Sequence, residues 1–206
     1  MSELNKIALK IVSSGKGILA ADESTATMTK RLESVKVESS EKNRLKFRSI
    51  LFSSSSMKDC IGGVILYDET IKQNCKDKSI SRLISESGTI PGIKVDTGAK
   101  KLAKSQDEKI TEGLDGLRDR LKKYYQLGAR FTKWRAVYTI SENCPTKLAI
   151  NTNAHALARY AALVQESGMV PIVEPEVLME GNHSAQDCFN KTSEVIKKCF
   201  DELIFQ

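Results

Sequence analysis

Four short apolar runs in this chain end in ionisable residues. Gly17–Glu23 closes on Asp22 and Glu23, and Gly92–Asp96 carries Lys94 and Asp96. Phe131–Arg135 carries Lys133 and Arg135, and Val170–Glu176 ends in Glu174-Pro175-Glu176. A strand buried on both faces reads as a continuous apolar run, so a charge inside or at the end of one is costly unless it has a partner. Any one case reads equally as an interior ion pair. Four that all gather charge towards the C-terminal end read as a shared polar rim, where parallel α/β folds place their chemistry. Strand alternation puts residues i and i+2 on one face, so Lys94 and Asp96 share a face, as do Lys133 and Arg135, and Glu174 and Glu176. Lysine supplies a point charge, arginine a fork for phosphate oxygens, and a carboxylate near lysines can move protons. The set suits a phosphorylated substrate and a proton-transfer step.

The elements that must position these residues follow from periodicity. Leu4, Ile7, Ala8, Ile11 and Val12 have helical spacing, and Gly15-Lys16-Gly17 breaks that helix before the first strand. Ser24-Thr25 can cap a short helix running through Lys30-Arg31-Leu32. A helix near Glu41–Phe52 precedes a second apolar run, Ile61–Tyr67, and a helix near Ser79–Ser85 leads to the third strand at Ile93. Thr111–Gln126 is expected as a helix with Leu114, Leu117, Leu121 and Tyr125 on one face. The fourth strand follows, then a long Ala-rich helix over Thr146–Glu166, the fifth strand, and a last helix at about Ala185–Leu203 with Val195, Ile196, Cys199, Phe200 and Leu203. Five strand–helix alternations of βα-unit length predict an α/β protein with a parallel sheet, either an open doubly wound sheet or the first part of an eight-stranded barrel. Asp22-Glu23-Ser24-Thr25 occupies the turn where a nucleotide-binding sheet carries its glycine-rich fingerprint, which favours the barrel.

Composition narrows the class. The chain has 206 residues, 40% hydrophobic and 28% charged, with a formal net charge of +6. These are the proportions of a globular domain, and 1–206 reads as one domain. No window approaches the ~20 apolar residues of a membrane span, so no membrane role is expected. The lysines are interleaved with acids, as in Glu41-Lys42-Asn43-Arg44 and Arg118-Asp119-Arg120, which reads as a solvated surface, not a nucleic-acid stripe. Cys60, Cys75, Cys144, Cys188 and Cys199 form no C-x-x-C pair and read as free thiols of a reducing compartment. His155 and His183 have no metal-ligand spacing, so no metal site is expected.

The runs Gly15–Thr25, Gly62–Leu66, Gly92–Asp96, Gly113–Leu117, Lys133–Arg135 and Val170–Glu176 resemble class I fructose-bisphosphate aldolase, in the family's order across essentially the whole chain. The resemblance implies a (β/α)8 barrel of which about the first five βα units are present. It implies a cytoplasmic or plastid lyase of glycolysis and gluconeogenesis, usually homotetrameric, that needs no metal or other cofactor. Such an enzyme reversibly cleaves fructose 1,6-bisphosphate to dihydroxyacetone phosphate and glyceraldehyde 3-phosphate through a lysine Schiff base. By resemblance Asp22 meets the reacting hydroxyls, Glu174 is the general acid/base, and Lys133 works beside it. Lys94, Arg135 and Arg31 hold the substrate and its phosphates, and Glu176 is a neighbouring pocket carboxylate. Ala26 and Thr97 stand where the family usually has glycine and lysine. The Schiff-base lysine belongs to the sixth strand, and the chain is expected to stop before it. The alternative is a catalytically silent aldolase fragment or partial barrel that binds a phosphosugar or a partner chain. A basic scaffold or RNA-binding protein is disfavoured, because it has no use for this set of residues.

Overall fold

Hydroxyl side chains start most of the helices. In the computed structural model, which describes residues 1–206, Ser2, Ser24, Ser40, Ser79, Thr146 and Ser184 each accept the backbone N–H three residues on. Ser184 is reinforced by Asp187, whose carboxylate accepts back from the Ser184 N–H in a capping box. The chain runs α1 (Glu3–Ile11), β1 (Gly17–Ala21), α2 (Thr25–Ser34), α3 (Glu41–Phe52), α4 (Met57–Cys60), β2 (Ile61–Leu66) and α5 (Asp68–Ile71). A small hairpin, β3 (Asn74–Cys75) and β4 (Lys78–Ser79), leads to α6 (Ile80–Glu86) and β5 (Ile90–Lys94). A second hairpin, β6 (Ala99–Lys101) and β7 (Lys109–Thr111), precedes α7 (Leu117–Gln126) and β8 (Phe131–Tyr138). The order ends with α8 (Lys147–Glu166), β9 (Val170–Val177) and α9 (Ala185–Phe205). The five principal strands form one sheet in the order β1-β2-β5-β8-β9, the α/β architecture expected.

Two compact units divide the chain. The first comprises residues 1–94, 120–132 and 168–170. In it β1 pairs parallel with β2, and β2 with β5. The start of β8 extends the ladder, the Arg130 N–H reaching the Pro91 carbonyl at 2.9 Å and the Val170 N–H reaching that of Arg130 at 3.1 Å. The Phe131 ring, fully buried, lies over Gly63 and Gly92 on two adjacent strands. The end of α1 sits so close to β2 that a Cβ on Gly62 would fall 1.9 Å from the Ile11 carbonyl oxygen.

The second unit comprises residues 95–119, 133–167 and 171–206. Its core is the α8 face of Ala154, Leu157, Ala158, Tyr160, Ala161 and Val164, with Trp134 from β8 stacked at 34° on Tyr160, centroids 5.3 Å apart. Val195 and Cys199 of α9 point inwards, whereas Phe189, Ile196 and Phe200 are exposed.

One predicted helix is shorter than its sequence suggests. Thr111–Gln126 is a strand end, a loop and then α7, because Gly113 and Gly116 adopt positive φ (131° and 63°), a conformation that does not propagate a helix. Leu117, Leu121 and Tyr124 form its buried face at i, i+4, i+7, while Tyr125 turns outwards under the Arg130 guanidinium, 4.1 Å from its ring centroid. The two hairpins lay below the resolution of a periodicity argument, since two- and three-residue strands carry no period.

Candidate active site

Period-two geometry places two ion pairs side by side in the second unit. The Lys133 Nζ lies 3.1 Å from Glu174 Oε2, and the Arg135 Nε lies 3.0 Å from Glu176 Oε2. The four residues are i and i+2 on β8 and on β9, so both pairs stand on one strand face, as the alternation predicts. Trp134, between the cations, points the other way into the core. The pairs differ in environment. Lys133 is buried, its side chain 10% exposed, and Glu174 is 35% exposed, while Arg135 and Glu176 are about half as exposed as free side chains. A pair as open as Arg135–Glu176 adds about 0–1 kcal/mol to stability. Its fork is therefore cheap to redirect to a phosphate.

The β6–β7 hairpin and α8 hold this face in place. The Thr111 hydroxyl donates to the Arg135 carbonyl at 2.7 Å, and the Asp96 carboxylate accepts from the Gly98 N–H at 3.1 Å and the Arg135 N–H at 3.5 Å. Asn153, almost fully buried on α8, uses its whole amide. Its Oδ1 accepts from the Thr111 N–H at 3.2 Å, and its Nδ2 donates to the Lys109 and Ala149 carbonyls. Glu108 anchors the hairpin loop to the start of α8 by accepting from the Thr146 N–H and hydroxyl, both at 2.7 Å. Asp96 stands past the end of β5, not within it.

In the first unit Asp22 follows directly on β1 and Lys94 is the last residue of β5, so both stand at the C-terminal ends of parallel strands. Arg31, on α2, is bound to Glu23. The structure adds a cluster that includes Arg44, whose charge pattern read as solvated surface. Arg44, Arg48 and Phe52 are the buried face of α3, at i, i+4 and i+8, whereas Ile50 is exposed. Arg44, expected on a solvated face, forks onto Glu69 through Nε (2.9 Å) and Nη2 (2.5 Å). This bidentate bond raises the Arg44 pKa and holds the Glu69 carboxyl below its ordinary value. Arg48 is 1% exposed; its Nη2 donates to the Glu23 carbonyl at 2.6 Å and its Nη1 to the Thr70 hydroxyl at 2.7 Å. Burial lowers its pKa, against the pull of Glu23 and Glu69. The i, i+4 arginines beside Phe52 were the available signal, and hydrophobicity alone hides it.

No group of His, Cys, Asp and Glu side chains is placed to hold a metal ion, and no helix is long and apolar enough to cross a membrane. The five cysteines are free.

Comparison with known proteins identifies the family and the fold. The family model described as "Glycolytic: Fructose-bisphosphate aldolase class-I" matches residues 3–205. The chain is 49% identical to "Probable fructose-bisphosphate aldolase class 1" of Xanthomonas campestris, over all of this chain and 62% of that protein. It is 50% identical to "Fructose-bisphosphate aldolase 6, cytosolic" of Arabidopsis thaliana, over 98% of this chain and 56% of the relative. A solved structure of fructose-bisphosphate aldolase from Plasmodium falciparum, in complex with TRAP and a small-molecule inhibitor, superposes with a TM-score of 0.93 at 44% identity. It covers 98% of this chain and 59% of that one. The chain thus spans about three fifths of the length of the relatives it matches. Aldolases of this class are lyases, and the strand-end charges, the sheet order and the family match converge on one assignment: the chain belongs to the class I fructose-bisphosphate aldolase family.

Proposed function

We propose that this chain carries the phosphosugar-binding and proton-transfer residues of a class I fructose-bisphosphate aldolase, within one partial (β/α)8-barrel domain. The observation that carries the reading is the pair of rungs Lys133–Glu174 and Arg135–Glu176. At 3.1 Å a proton can pass directly between the Lys133 ammonium and the Glu174 carboxylate, which is within reach for general acid/base work. Asp22 takes the proton of the reacting hydroxyl as the carbon–carbon bond breaks. Lys94, Arg31 and Arg135 hold the substrate and its phosphates, Glu176 keeps the Arg135 fork oriented, and no metal or organic cofactor is needed. The electrons of the broken bond need a sink, which in this family is an iminium on a lysine. Lys94 and Lys133, the lysines at these strand ends, are assigned the non-covalent roles above and not that of the iminium nucleophile. The active assembly is cytosolic and homotetrameric.

Calorimetric titration of the chain with fructose 1,6-bisphosphate should give binding that Lys133→Met and Arg135→Met each weaken. Borohydride with dihydroxyacetone phosphate should leave no adduct. An adduct on this chain, lost on Lys133→Met or Lys94→Met, would overturn the assignment of roles. Absence of binding favours the second reading, a catalytically silent fragment that serves a partner chain, which the exposed Phe189, Ile196 and Phe200 of α9 support.

A further inference from the structure

Glu23 lies between two arginines of opposite character. Its Oε1 is bound by the Nη1 of Arg31, whose side chain is 58% exposed, while Oε2 faces Arg48, whose side chain is 1% exposed. Oε2 is buried and stands 3.7 Å from Arg48 Nη2, an ion pair longer than an ordinary hydrogen bond. On the same guanidinium Nε is buried and donates to nothing. A buried carboxylate oxygen held just beyond hydrogen-bond length from a buried guanidinium is an expensive arrangement, and a small shift of the carboxylate would shorten the contact. The Glu23 backbone is already pinned, because Arg48 Nη2 donates to the Glu23 carbonyl and Nη1 to Thr70. The carboxylate can therefore move while the turn that carries Asp22 stays in place.

We infer that Arg48 is a positioning residue that takes over the Glu23 carboxylate when a phosphate monoester claims Arg31. The inference rests on the reading of Arg31 as a phosphate contact. In the unliganded chain Glu23 competes with phosphate for Arg31. Were Arg48 absent, releasing Arg31 would leave a carboxylate only 11% exposed without a cation, and that penalty would count against phosphate binding. With Arg48 present, one charge-assisted bond replaces another, and Arg31 is released at little cost.

The test uses the 206-residue chain with fructose 1,6-bisphosphate and inorganic phosphate as titrants. Arg48→Met should weaken binding by about tenfold, the worth of one charge-assisted hydrogen bond. Adding Glu23→Gln in that background should restore it to near wild type, because a neutral amide no longer holds Arg31. An Arg48 that merely stabilises the fold would give no such rescue, and a double variant as weak as Arg48→Met overturns the inference. Glu23→Gln alone should bind more tightly than wild type; equal or weaker binding also overturns it, even if Arg48→Met does not fold. A measurement free of ligand separates this inference from the phosphosugar reading. In Arg31→Met the Arg48 Nε–H resonance should move downfield and exchange more slowly, as Glu23 closes on it. An unchanged resonance overturns the inference whether or not the sugar binds, whereas a shifted resonance with no sugar binding to the wild-type chain refutes the phosphosugar reading instead.

Discussion

Gly92→Ala should be among the most damaging single-methyl additions in the chain, and its cost can be worked from one ring. A Cβ at residue 92 would lie 2.3, 2.4 and 2.5 Å from three ring carbons of Phe131, where carbon atoms rest at about 3.5–4.0 Å. More than an ångström must be recovered. The ring is fully buried and also rests on Gly63 of the neighbouring strand, where an added Cβ would stand 3.0 Å from it, so it has no room to retreat. Overpacking of this kind costs about 1–3 kcal/mol, and the lower entropy of an unfolded alanine returns about 0.4–1 kcal/mol. A net loss of about 1–2 kcal/mol is expected, read as a lower urea midpoint at unchanged slope. Gly63→Ala should cost less, because a shift of a few tenths of an ångström accommodates it. The decisive measurement is the double variant Gly92→Ala/Phe131→Leu, in which the smaller side chain leaves space for the methyl. Its destabilisation should fall short of the sum of the single variants by about 1 kcal/mol or more. An unchanged midpoint for Gly92→Ala, or strict additivity with Phe131→Leu, would refute the account of the ring as the obstacle.

Two further outcomes concern pH. The Arg44 fork holds the Glu69 carboxyl below its ordinary value of 4.5, so its stabilisation is complete above that value and is lost as pH falls through the lower folded one. Circular dichroism should accordingly find the acid-unfolding midpoint of Arg44→Met at higher pH than that of the wild type, and an unmoved midpoint would contradict the linkage. Burial and then the hydrogen bond to Asp68 push the Tyr124 phenol up to about 12. The stabilisation this implies is complete below the ordinary value of 10.0 and fades as pH rises through the folded value. Ultraviolet titration of the native chain should find the Tyr124 transition near the top of the range, and Tyr124→Phe should remove it.

The architecture was legible because its strands are long apolar runs separated by helical periods, and both survive as one-dimensional patterns. Ser24, Thr146 and the stretch beginning at Ala185 mark helix starts that the chain adopts as written. What failed was local. Gly113 and Gly116 look like ordinary interruptions in a leucine-rich stretch, yet their positive φ angles turn a helix into a hairpin end and a loop. At the candidate site, the strand-borne charges were readable because alternation fixes their face. Arg44, Arg48 and Glu69 were not, since the i, i+4 spacing marks a shared helix face but a buried arginine is defined by partners 22 to 25 positions away. Asn153 was invisible for the same reason, its value residing in three backbone groups that only folding brings near.

The two rungs also act as an error check during folding. A slip of one residue between strands exchanges their faces, because side chains alternate with a period of two. Slipped β8 would present Trp134 and Ala136, both without exposed surface, to the polar side and drive Lys133 and Arg135 into the packing of Tyr160 and α8. Buried ions without partners cost several kcal/mol each. The misaligned ladder is thereby penalised at every rung, so the charges proposed to handle the sugar also keep the chain from settling one step out of register.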